Sequence, residues 1–384
     1  MVFSQPIRVL DVPLSLEMGG IAHGIVQVLQ HFDGDRFRFD FLVREDVPRD
    51  LEPQVEALGG CILRCPHPRR AVAFARSFAQ TLRAQRPYDI LHTHPYLSSG
   101  FMLALGARHK IPVRLAHAHN DRRHLISESS LHRKLYTRLM RSLIRRYATG
   151  GIAISPPAGD ALFHANWQSD PNYQLIPVGQ DFSAYETAGD RAFYMNEFGL
   201  RQENIVLAAI GRFMPQKNHV LIMDIFKLFH ATHPNAKLLL IGEGPLEAEV
   251  RQRVAQEGLS ASITFAGVRK DCPEILTSGA VDALLFPSLH EGLGRIAIEG
   301  QAAGVPVLAS EAIPKIADIY EHGVTRLPLS APPEEWVKAL ETLIQKPRID
   351  REEALRLAQA SPFNIQTHVQ HLTTFYDAQL EKMK

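Results

Sequence analysis

The sequence predicts an α/β protein of two parallel-sheet domains that face each other across a cleft. Its 384 residues exceed what one ordinary core takes up, so two domains are expected. Short apolar runs rich in leucine and β-branched residues alternate with helical patterns, which is typical of parallel sheets with helices between the strands. The alternation begins again in the second half, and two similar halves imply a cleft between them.

Strands are predicted in both halves at the apolar runs 7–12, 37–43, 89–92, 113–117, 152–154, 205–210, 237–241, 263–265, 283–286 and 305–309. The polar stretch 176–190 separates the two series and is rich in turn-forming residues, as expected of a linker. We therefore predict an N-terminal domain at 1–180, a C-terminal domain at 181–361, and a helix at 362–384 that packs back toward the N-terminal domain.

Composition narrows the functional classes. Lys and Arg number 42 against 41 Asp and Glu, and this balance gives no reason to expect a nucleic-acid partner. Three cysteines cannot form a disulfide framework for a chain of this size, so reduced, buried thiols and a cytoplasmic protein are expected. Since no stretch reaches about 18 uncharged apolar residues, the sequence predicts neither a secreted nor a membrane-spanning protein.

Two carboxylates frame a glycine-rich helix start. The segment Glu291-Gly-Leu-Gly-Arg-Ile-Ala-Ile-Glu299 follows the apolar run 283–286 and opens a helical pattern. Gly292 and Gly294, on either side of Leu293, let backbone N–H groups approach a phosphate at the helix N-terminus. Each carboxylate can accept hydrogen bonds from hydroxyl groups, so the segment predicts a sugar-nucleotide site.

A second loop carries two cations. Residues 211–218 follow the predicted strand 205–210, and ligands of open α/β sheets bind beyond the carboxyl ends of strands. Arg212 offers a planar fork and Lys217 a mobile point charge, and together they can neutralise a leaving diphosphate.

These motifs together resemble the family-4 retaining glycosyltransferases of group 1 type. The resemblance rests on Gly-Arg-x(4)-Lys-Asn at 211–218 and Glu-Gly-Leu-Gly-x(4)-Glu at 291–299. Further matches are Gly-Glu-Gly-Pro-Leu at 242–246, Phe-Ala-Gly at 265–267, Phe-Pro-Ser at 286–288 and Gly-Val-Pro-Val-Leu-Ala-Ser at 304–310. Two departures are Val178, where the family usually has Asn, and Gly300, where it usually has Ala.

The resemblance implies a GT-B architecture of two Rossmann-like domains, with the donor held mainly by the C-terminal domain and the acceptor by the N-terminal domain. It implies that Arg212 and Lys217 contact the diphosphate, Glu291 the donor sugar hydroxyls, and Glu299 the ribose hydroxyls. Backbone N–H groups of 292–294 would lie near the sugar and phosphate. The resemblance also implies catalysis without a metal ion, and no other cofactor is expected.

The N-terminal half offers weaker signals. Gly19 and Gly20 lie between the first strand and a helical pattern and resemble the first glycine loop of the family. His92, His94, His117 and His119 lie at or just after two strand ends, where imidazoles can hydrogen-bond sugar hydroxyls or a phosphate. The family commonly places a histidine in a motif like Ala-His-Ala-His-Asn at 116–120, which leaves His117 and His119 as alternatives.

Metal binding is not expected at either polar cluster of this half. The four histidines show no recognisable ligand spacing along the chain, with no carboxylate or cysteine to complete a site. Asp33-Gly34-Asp35 spells an Asp-x-Asp motif, but Asp-Gly at this position predicts a turn.

The segment 131–147 predicts a basic amphipathic helix. Leu131, Leu135, Leu139, Leu143 and Tyr147 share one face, whereas the cations Lys134, Arg138, Arg141 and Arg145 recur on another. Such a helix can lie on an anionic membrane or guide a lipid-diphosphate acceptor. The alternative is an ordinary solvated helix that packs its leucines on the sheet.

Through this resemblance, the sequence predicts a retaining glycosyltransferase. Its expected donor is a UDP-hexose or UDP-N-acetylhexosamine, and its expected acceptor is a hydroxyl of a sugar or lipid-linked sugar in cell-surface polysaccharide or glycolipid assembly. The expected location is the cytoplasm, at the inner face of the cell membrane. Two alternatives stay open: a nucleotide-sugar epimerase, and a non-catalytic subunit that binds sugar nucleotides.

Overall fold

The computed structural model describes residues 5–13, 15–17, 20–44, 47–65, 71–85, 87–121, 123 and 130–384. The chain divides into two compact units. Unit 1 comprises the chain up to Asp181 together with Pro362–Lys384, and unit 2 comprises Phe182–Ser361. Within the described ranges, no helix combines the length and apolar character needed to cross a membrane.

Unit 1 is built on a parallel sheet of seven strands, β1 Ile7–Val12, β2 Phe37–Val43, β3 Cys61–Arg64, β4 Ile90–Thr93, β5 Val113–Ala118, β6 Gly150–Ala153 and β7 Tyr173–Leu175. Its helices are α1 Gly20–His31, α2 Glu52–Ala57, α3 Ala71–Ala84, α4 Ser99–Arg108, α5 Leu131–Tyr147, α6 Pro156–Leu162 and the last helix of the chain, α14 Ile365–Glu381. The strand order is β3-β2-β1-β4-β5-β6-β7, so the direction of winding reverses between β1 and β4.

The C-terminal helix α14 belongs to the core of unit 1. Asn364 caps the helix, since its side chain accepts a hydrogen bond from the backbone N–H of Gln366 at 2.8 Å. Leu372, Phe375 and Tyr376 are buried in the same hydrophobic cluster as strands β1 and β2. The chain therefore returns to the first sheet after completing unit 2.

Unit 2 has a parallel sheet of six strands, β8 Ile205–Ile210, β9 Ala236–Ile241, β10 Ile263–Gly267, β11 Ala283–Phe286, β12 Val307–Ser310 and β13 Val324–Leu327. Its helices are α7 Arg191–Glu197, α8 His219–Thr232, α9 Glu247–Gln256, α10 Cys272–Thr277, α11 Arg295–Ala302, α12 Pro333–Gln345 and α13 Arg351–Ala360. The order β10-β9-β8-β11-β12-β13 reverses between β8 and β11. Each unit thus has the doubly wound topology whose ligands bind where the winding reverses.

The predicted parallel α/β sheets are confirmed, and β1, β2, β8 and β11 have the predicted bounds. Three short strands, β3, β7 and β13, were missed. The predicted turn at Asp33-Gly34-Asp35 is confirmed, because the Asp33 carboxylate accepts hydrogen bonds from the backbone N–H groups of Asp35 and Arg36. The expectation of buried thiols is wrong for Cys61, which is exposed.

Candidate functional site

Two loops of unit 2 lie side by side because their strands are neighbours. Loop 211–218 follows β8, and loop 287–294 follows β11, which pairs with β8. The backbone N–H of Leu289 donates to the carbonyl of Gln216 at 2.8 Å, and the Gln216 side-chain amide donates to the His290 carbonyl at 2.9 Å. These bonds hold both predicted motifs in one place.

Lys217 and Glu291, the residues predicted to contact the diphosphate and the donor sugar, form an ion pair. Lys217 Nζ lies 2.7 Å from Glu291 Oε1, with the two side chains 19% and 12% exposed. The ammonium also lies 4.8 Å from the centre of the Phe286 ring. Its stem crosses Gly211, where a Cβ atom would lie 2.8 Å from Lys217 Cε. The structure thus brings these two residues together at the winding reversal of unit 2.

Arg212 and Glu299, the other two charged residues predicted for the donor site, are not part of this ion pair. Arg212 is exposed in loop 211–218, and its guanidinium has no hydrogen-bond or ion-pair partner among the described residues. Glu299 is half-buried within α11, whereas Glu291 lies in the loop before that helix. Burial and the charge of Glu299 raise the pKa of the Cys272 thiol to about 12.

Gly294 turns the chain into α11. Its φ of +88° lies in the left-handed region, and an added Cβ would lie 2.7 Å from Ile313 Cγ2. Both conditions favour glycine. Leu293 is buried beside it, as is Gly292, so the predicted glycine-rich helix start has Leu293 as an apolar anchor.

The loop after β9 supports the cationic loop. Gly242 has a φ of +134°, and a Cβ there would lie 2.2 Å from the carbonyl oxygen of Gly211. The backbone N–H of Phe213 donates to the Glu243 carbonyl at 2.8 Å, and the buried Phe213 ring stacks on His219. Burial, with the charge of Lys217, lowers the pKa of His219 to about 4.

In unit 1 the four predicted histidines form one cluster. His92 lies in β4 and His117 in β5, and His94 and His119 follow two residues later on the same sides of these strands. Asp11 of β1 is the register partner of His92, so the cluster also lies at the winding reversal. Of the predicted glycine loop, Gly20 begins α1 and Gly19 lies outside the described residues.

The cluster contains two chains of hydrogen bonds. In one, His94 Nε2 lies 3.0 Å from Asp11 Oδ2, and His94 Nδ1 lies 2.7 Å from His119 Nε2. In the other, His92 Nδ1 lies 2.7 Å from the Tyr376 hydroxyl, and His92 Nε2 lies 3.1 Å from His117 Nδ1. The His117 and His119 rings stack at 4.0 Å between centroids.

Burial favours the neutral form of three of these imidazoles. It lowers the pKa of His92, His117 and His119 well below 6.5, and the charges of neighbouring histidines lower it further. His368 of α14 has a pKa of about 4, mainly through burial, although its hydrogen bond to the Pro177 carbonyl acts in the opposite direction. Neutral imidazoles suit hydrogen bonding to uncharged hydroxyl groups.

Sequence reasoning missed two members of this cluster, Asp11 and Tyr376. Asp11 is a carboxylate inside the apolar run 7–12, and this was the available signal. Tyr376 lies 284 positions after its partner His92, so no local pattern links them. Spacing along the chain also failed to show that His92, His94 and His117 offer ligand atoms within 4.8 Å of one another.

Helix α5 has the predicted bounds, but three of its four leucines are exposed rather than packed on the sheet. Leu131, Leu135 and Leu139 are 69%, 52% and 56% exposed. The buried residues of the helix are instead Thr137, Met140 and Ile144. This face approaches α4 closely, since a Cβ on Gly100 would lie 2.4 Å from the Met140 carbonyl oxygen. The first three leucines of the stripe thus lie on the surface, whereas Leu143 is half-buried near Gly100.

Comparison with known families identifies the class. Residues 190–361 match the model of glycosyl transferases group 1, and residues 19–179 match that of the glycosyl transferase 4-like domain. The first match lies within unit 2 and includes every residue predicted for the donor site there, and the second match lies within unit 1. The chain thus combines a glycosyl transferase 4-like domain with a glycosyl transferases group 1 domain, and it belongs to the glycosyltransferases.

Individual relatives agree with this class. EpsF of Bacillus subtilis (strain 168), which is named as a glycosyltransferase, is 26% identical over 98% of this chain and 97% of its own. UDP-Gal:alpha-D-GlcNAc-diphosphoundecaprenol alpha-1,3-galactosyltransferase of Escherichia coli is 24% identical over 60% of this chain and 59% of its own. Anabaena HepE, solved with UDP and glucose, has a TM-score of 0.78 at 19% identity over 97% of this chain and 100% of its own. The fold is therefore GT-B.

Proposed function

We propose that this chain is a retaining, metal-independent glycosyltransferase that uses a UDP-hexose or UDP-N-acetylhexosamine. The Lys217–Glu291 pair carries the proposal. It places a cation 2.7 Å from a carboxylate that can accept hydrogen bonds from sugar hydroxyls, at the strand ends of unit 2. The UDP complex of HepE supports the donor class. The E. coli relative, named for a diphosphoundecaprenol-linked sugar, supports an acceptor hydroxyl on a sugar or lipid-linked sugar and a role in cell-surface polysaccharide or glycolipid assembly.

The chemistry follows from the two kinds of charge. As the bond from the anomeric carbon to the phosphate oxygen breaks, negative charge grows on the diphosphate, and Lys217 and Arg212 neutralise it. The acceptor hydroxyl attacks from the same face, and the leaving phosphate oxygen takes its proton. Lys217 fixes one oxygen of Glu291, which leaves the other to accept hydrogen bonds from sugar hydroxyls. Glu299 serves the ribose hydroxyls, and N–H groups of 292–294 lie near the sugar and phosphate.

The direct test is release of UDP from UDP-glucose, UDP-galactose and UDP-N-acetylglucosamine, with and without sugar and polyprenyl-diphosphate sugar acceptors. We expect Lys217→Met to lower kcat by about 100-fold to 1,000-fold, as is typical when a group that stabilises transition-state charge is removed. Lys227→Met is the matched control, since Lys227 also pairs with a glutamate in unit 2, at 3.6 Å, but on the surface of α8. EDTA should leave the rate unchanged, and NMR of the product should show the donor's anomeric configuration.

Other outcomes of this test would support a different function. Epimerisation of the donor without acceptor would support a nucleotide-sugar epimerase. Thermal stabilisation by a donor that is never consumed would support a non-catalytic binding subunit. Equal rates for the Lys217→Met and Lys227→Met variants would contradict the assigned role of Lys217.

The surface of helix α5 supports the proposal that the protein binds the inner face of the cell membrane. Its exposed leucines can enter the interfacial region, while Lys134, Arg138 and Arg145 attract anionic lipids. We expect the chain to co-sediment with phosphatidylglycerol vesicles, and Leu135→Glu/Leu139→Glu to weaken this by at least about tenfold. Val220→Glu, at an exposed apolar position of α8, is the control. Equal binding to neutral phosphatidylcholine vesicles would contradict the electrostatic part.

A further inference from the structure

The two histidine chains of unit 1 differ in the group at their start. One starts at a carboxylate, Asp11, and ends at His119. The other starts at a phenol, Tyr376, and ends at His117. Each ends in a buried ring nitrogen, Nδ1 of His119 and Nε2 of His117, that has no hydrogen-bond partner among the described residues.

The carboxylate fixes the direction of its chain. An ionised Asp11 can only accept, so His94 must donate to it from Nε2. In a neutral His94 the other nitrogen, Nδ1, is then an acceptor, and His119 must donate to it from Nε2. Nδ1 of a neutral His119 is left with a lone pair. The tautomer of His119 is therefore set two hydrogen bonds away, at Asp11.

The phenol fixes no direction. A tyrosine hydroxyl both donates and accepts, so the bond to Tyr376 permits either tautomer of His92, and Nε2 of His117 can be a donor or an acceptor. Asp11 Oδ2 lies 3.8 Å from His92 Nδ1, which is beyond hydrogen-bond distance. The two terminal histidines, which sequence reasoning could not separate, thus differ in their hydrogen-bonding character.

A buried lone pair without a donor is costly, so His119 Nδ1 needs a ligand that donates a hydrogen bond. We propose that Asp11 and His94 are positioning residues that hold His119 Nδ1 as the hydrogen-bond acceptor for a carbohydrate hydroxyl. The choice of a carbohydrate rests on the proposed function, whereas the direction of the chain rests on the hydrogen-bond geometry together with an ionised Asp11 and a neutral His94. The hydroxyl can belong to the donor sugar or to the acceptor sugar.

A metal ion on His92, His94 and His117 is less consistent with the geometry. Both ring nitrogens of His92 and of His94 are already within 2.7–3.1 Å of hydrogen-bond partners. Of the three, His117 alone has a free nitrogen among the described residues. An ion would have to displace several of these bonds, whereas a hydroxyl donor to His119 displaces none.

The first test is ¹⁵N NMR of histidine-labelled full-length protein at pH 7.5, with the His119 signals assigned by their absence in His119→Gln. Protonated and unprotonated ring nitrogens have well-separated shifts, so the tautomer is read directly in the ligand-free protein. We expect Nδ1 of His119 to be unprotonated. A protonated Nδ1, or stoichiometric metal in the purified protein, would overturn the proposal.

Variants at the start of each chain sharpen the test. Asp11→Leu removes the acceptor, and the His119 shifts should move toward values averaged over both tautomers. Tyr376→Phe removes the hydroxyl from the other chain and should leave the His119 tautomer unchanged. Tryptophan fluorescence checks that both variants are folded. Unchanged His119 shifts in a folded Asp11→Leu protein would contradict the positioning role.

The second test uses UDP-glucose, glucose and N-acetylglucosamine as separate ligands. A hydrogen bond from a hydroxyl should shift His119 Nδ1 with UDP-glucose if the donor sugar supplies it, or with the free sugars if the acceptor does. For that substrate, KM should rise about threefold to tenfold in Asp11→Leu, with a smaller change in kcat. No shift with any of the three would overturn the proposal. Failure to turn over any UDP-sugar would instead contradict the proposed function, since neither NMR result requires turnover.

Discussion

The two units place polar groups at the same topological position but use opposite means to keep them there. In unit 1, the strand ends at the winding reversal carry buried histidines and one carboxylate. In unit 2, the corresponding loops carry a partly exposed Lys217–Glu291 pair and an exposed Arg212. The topology thus determines where a ligand can bind, whereas side chains determine which chemistry it meets.

This contrast has an energetic basis. An imidazole can be buried at moderate cost if it stays neutral and its nitrogens are hydrogen-bonded, and both conditions hold for most of the unit 1 cluster. A lysine cannot be discharged so easily, and it stays near solvent with a carboxylate beside it. Unit 1 is therefore suited to hydroxyl groups and unit 2 to a diphosphate.

The largest expected difference between the two units is the loss of stability in acid. The pKa of His368 is about 4 and those of His92, His117 and His119 lie well below 6.5, so below pH 6.5 the unfolded chain binds protons that folded unit 1 does not. The free energy of unfolding of unit 1 then falls as the pH falls, by up to about 1.4 kcal/mol per pH unit for each histidine. In unit 2, the lowered pKa of His219 makes the free energy of unfolding fall in the same way, as the pH falls from 6.5 to about 4.

Each unit has its own reporter for this measurement, because the two tryptophans, Trp167 and Trp336, are buried in unit 1 and unit 2 respectively. Urea titrations of Trp336→Phe and Trp167→Phe proteins, from pH 7.5 to 4.5, follow one unit at a time. We expect the midpoint of unit 1 to fall several times further than that of unit 2. Parallel midpoints would show that the histidines are not held neutral.

A substitution in unit 2 should give the next largest effect. Gly242→Ala forces a Cβ to 2.2 Å from the Gly211 carbonyl at a φ of +134°, so the loop that carries Lys217 must shift. We expect a loss of about 2–5 kcal/mol in unit 2, from backbone strain together with overpacking. The measurement is urea unfolding followed by Trp336.

Gly34→Ala in unit 1 is the matched control. Its Cβ would have no neighbour within 4 Å, so stability should change by less than about 0.5 kcal/mol. Similar losses from both substitutions would mean that the close loop crossing in unit 2 is not what requires glycine at 242.

The sequence predicted the central strands and the motifs that follow them, and both predictions succeeded for the same physical reason. Central strands such as β1 and β8 are buried and apolar, so their runs stand out, and motifs that follow them are placed at strand ends automatically. The missed edge strands β7 and β13 are short and only partly buried, with polar residues such as Gln174 and Arg326.

Contacts between distant segments were beyond the sequence. The amphipathic pattern of α5 could not show which face packs, because that depends on the close approach of Gly100 to Met140. Likewise, the roles of Asp11 and Tyr376 arise only when β1, β4 and α14 come together. The pairing of Lys217 with Glu291 was not predicted either, although both residues were chosen for the same ligand.

The smallest expected effect tests whether α14 is a working part of the histidine cluster. Tyr376→Phe keeps the buried ring but removes the hydroxyl that lies 2.7 Å from His92 Nδ1. Losing one buried hydrogen bond should lower the stability of unit 1 by about 1–2 kcal/mol, because a ring nitrogen is left without a partner. The Trp167 unfolding midpoint should therefore fall while the Trp336 midpoint stays constant. If neither midpoint moved, the hydroxyl would contribute nothing to stability, and α14 would be held to unit 1 by apolar packing and the Arg36–Asp377 ion pair.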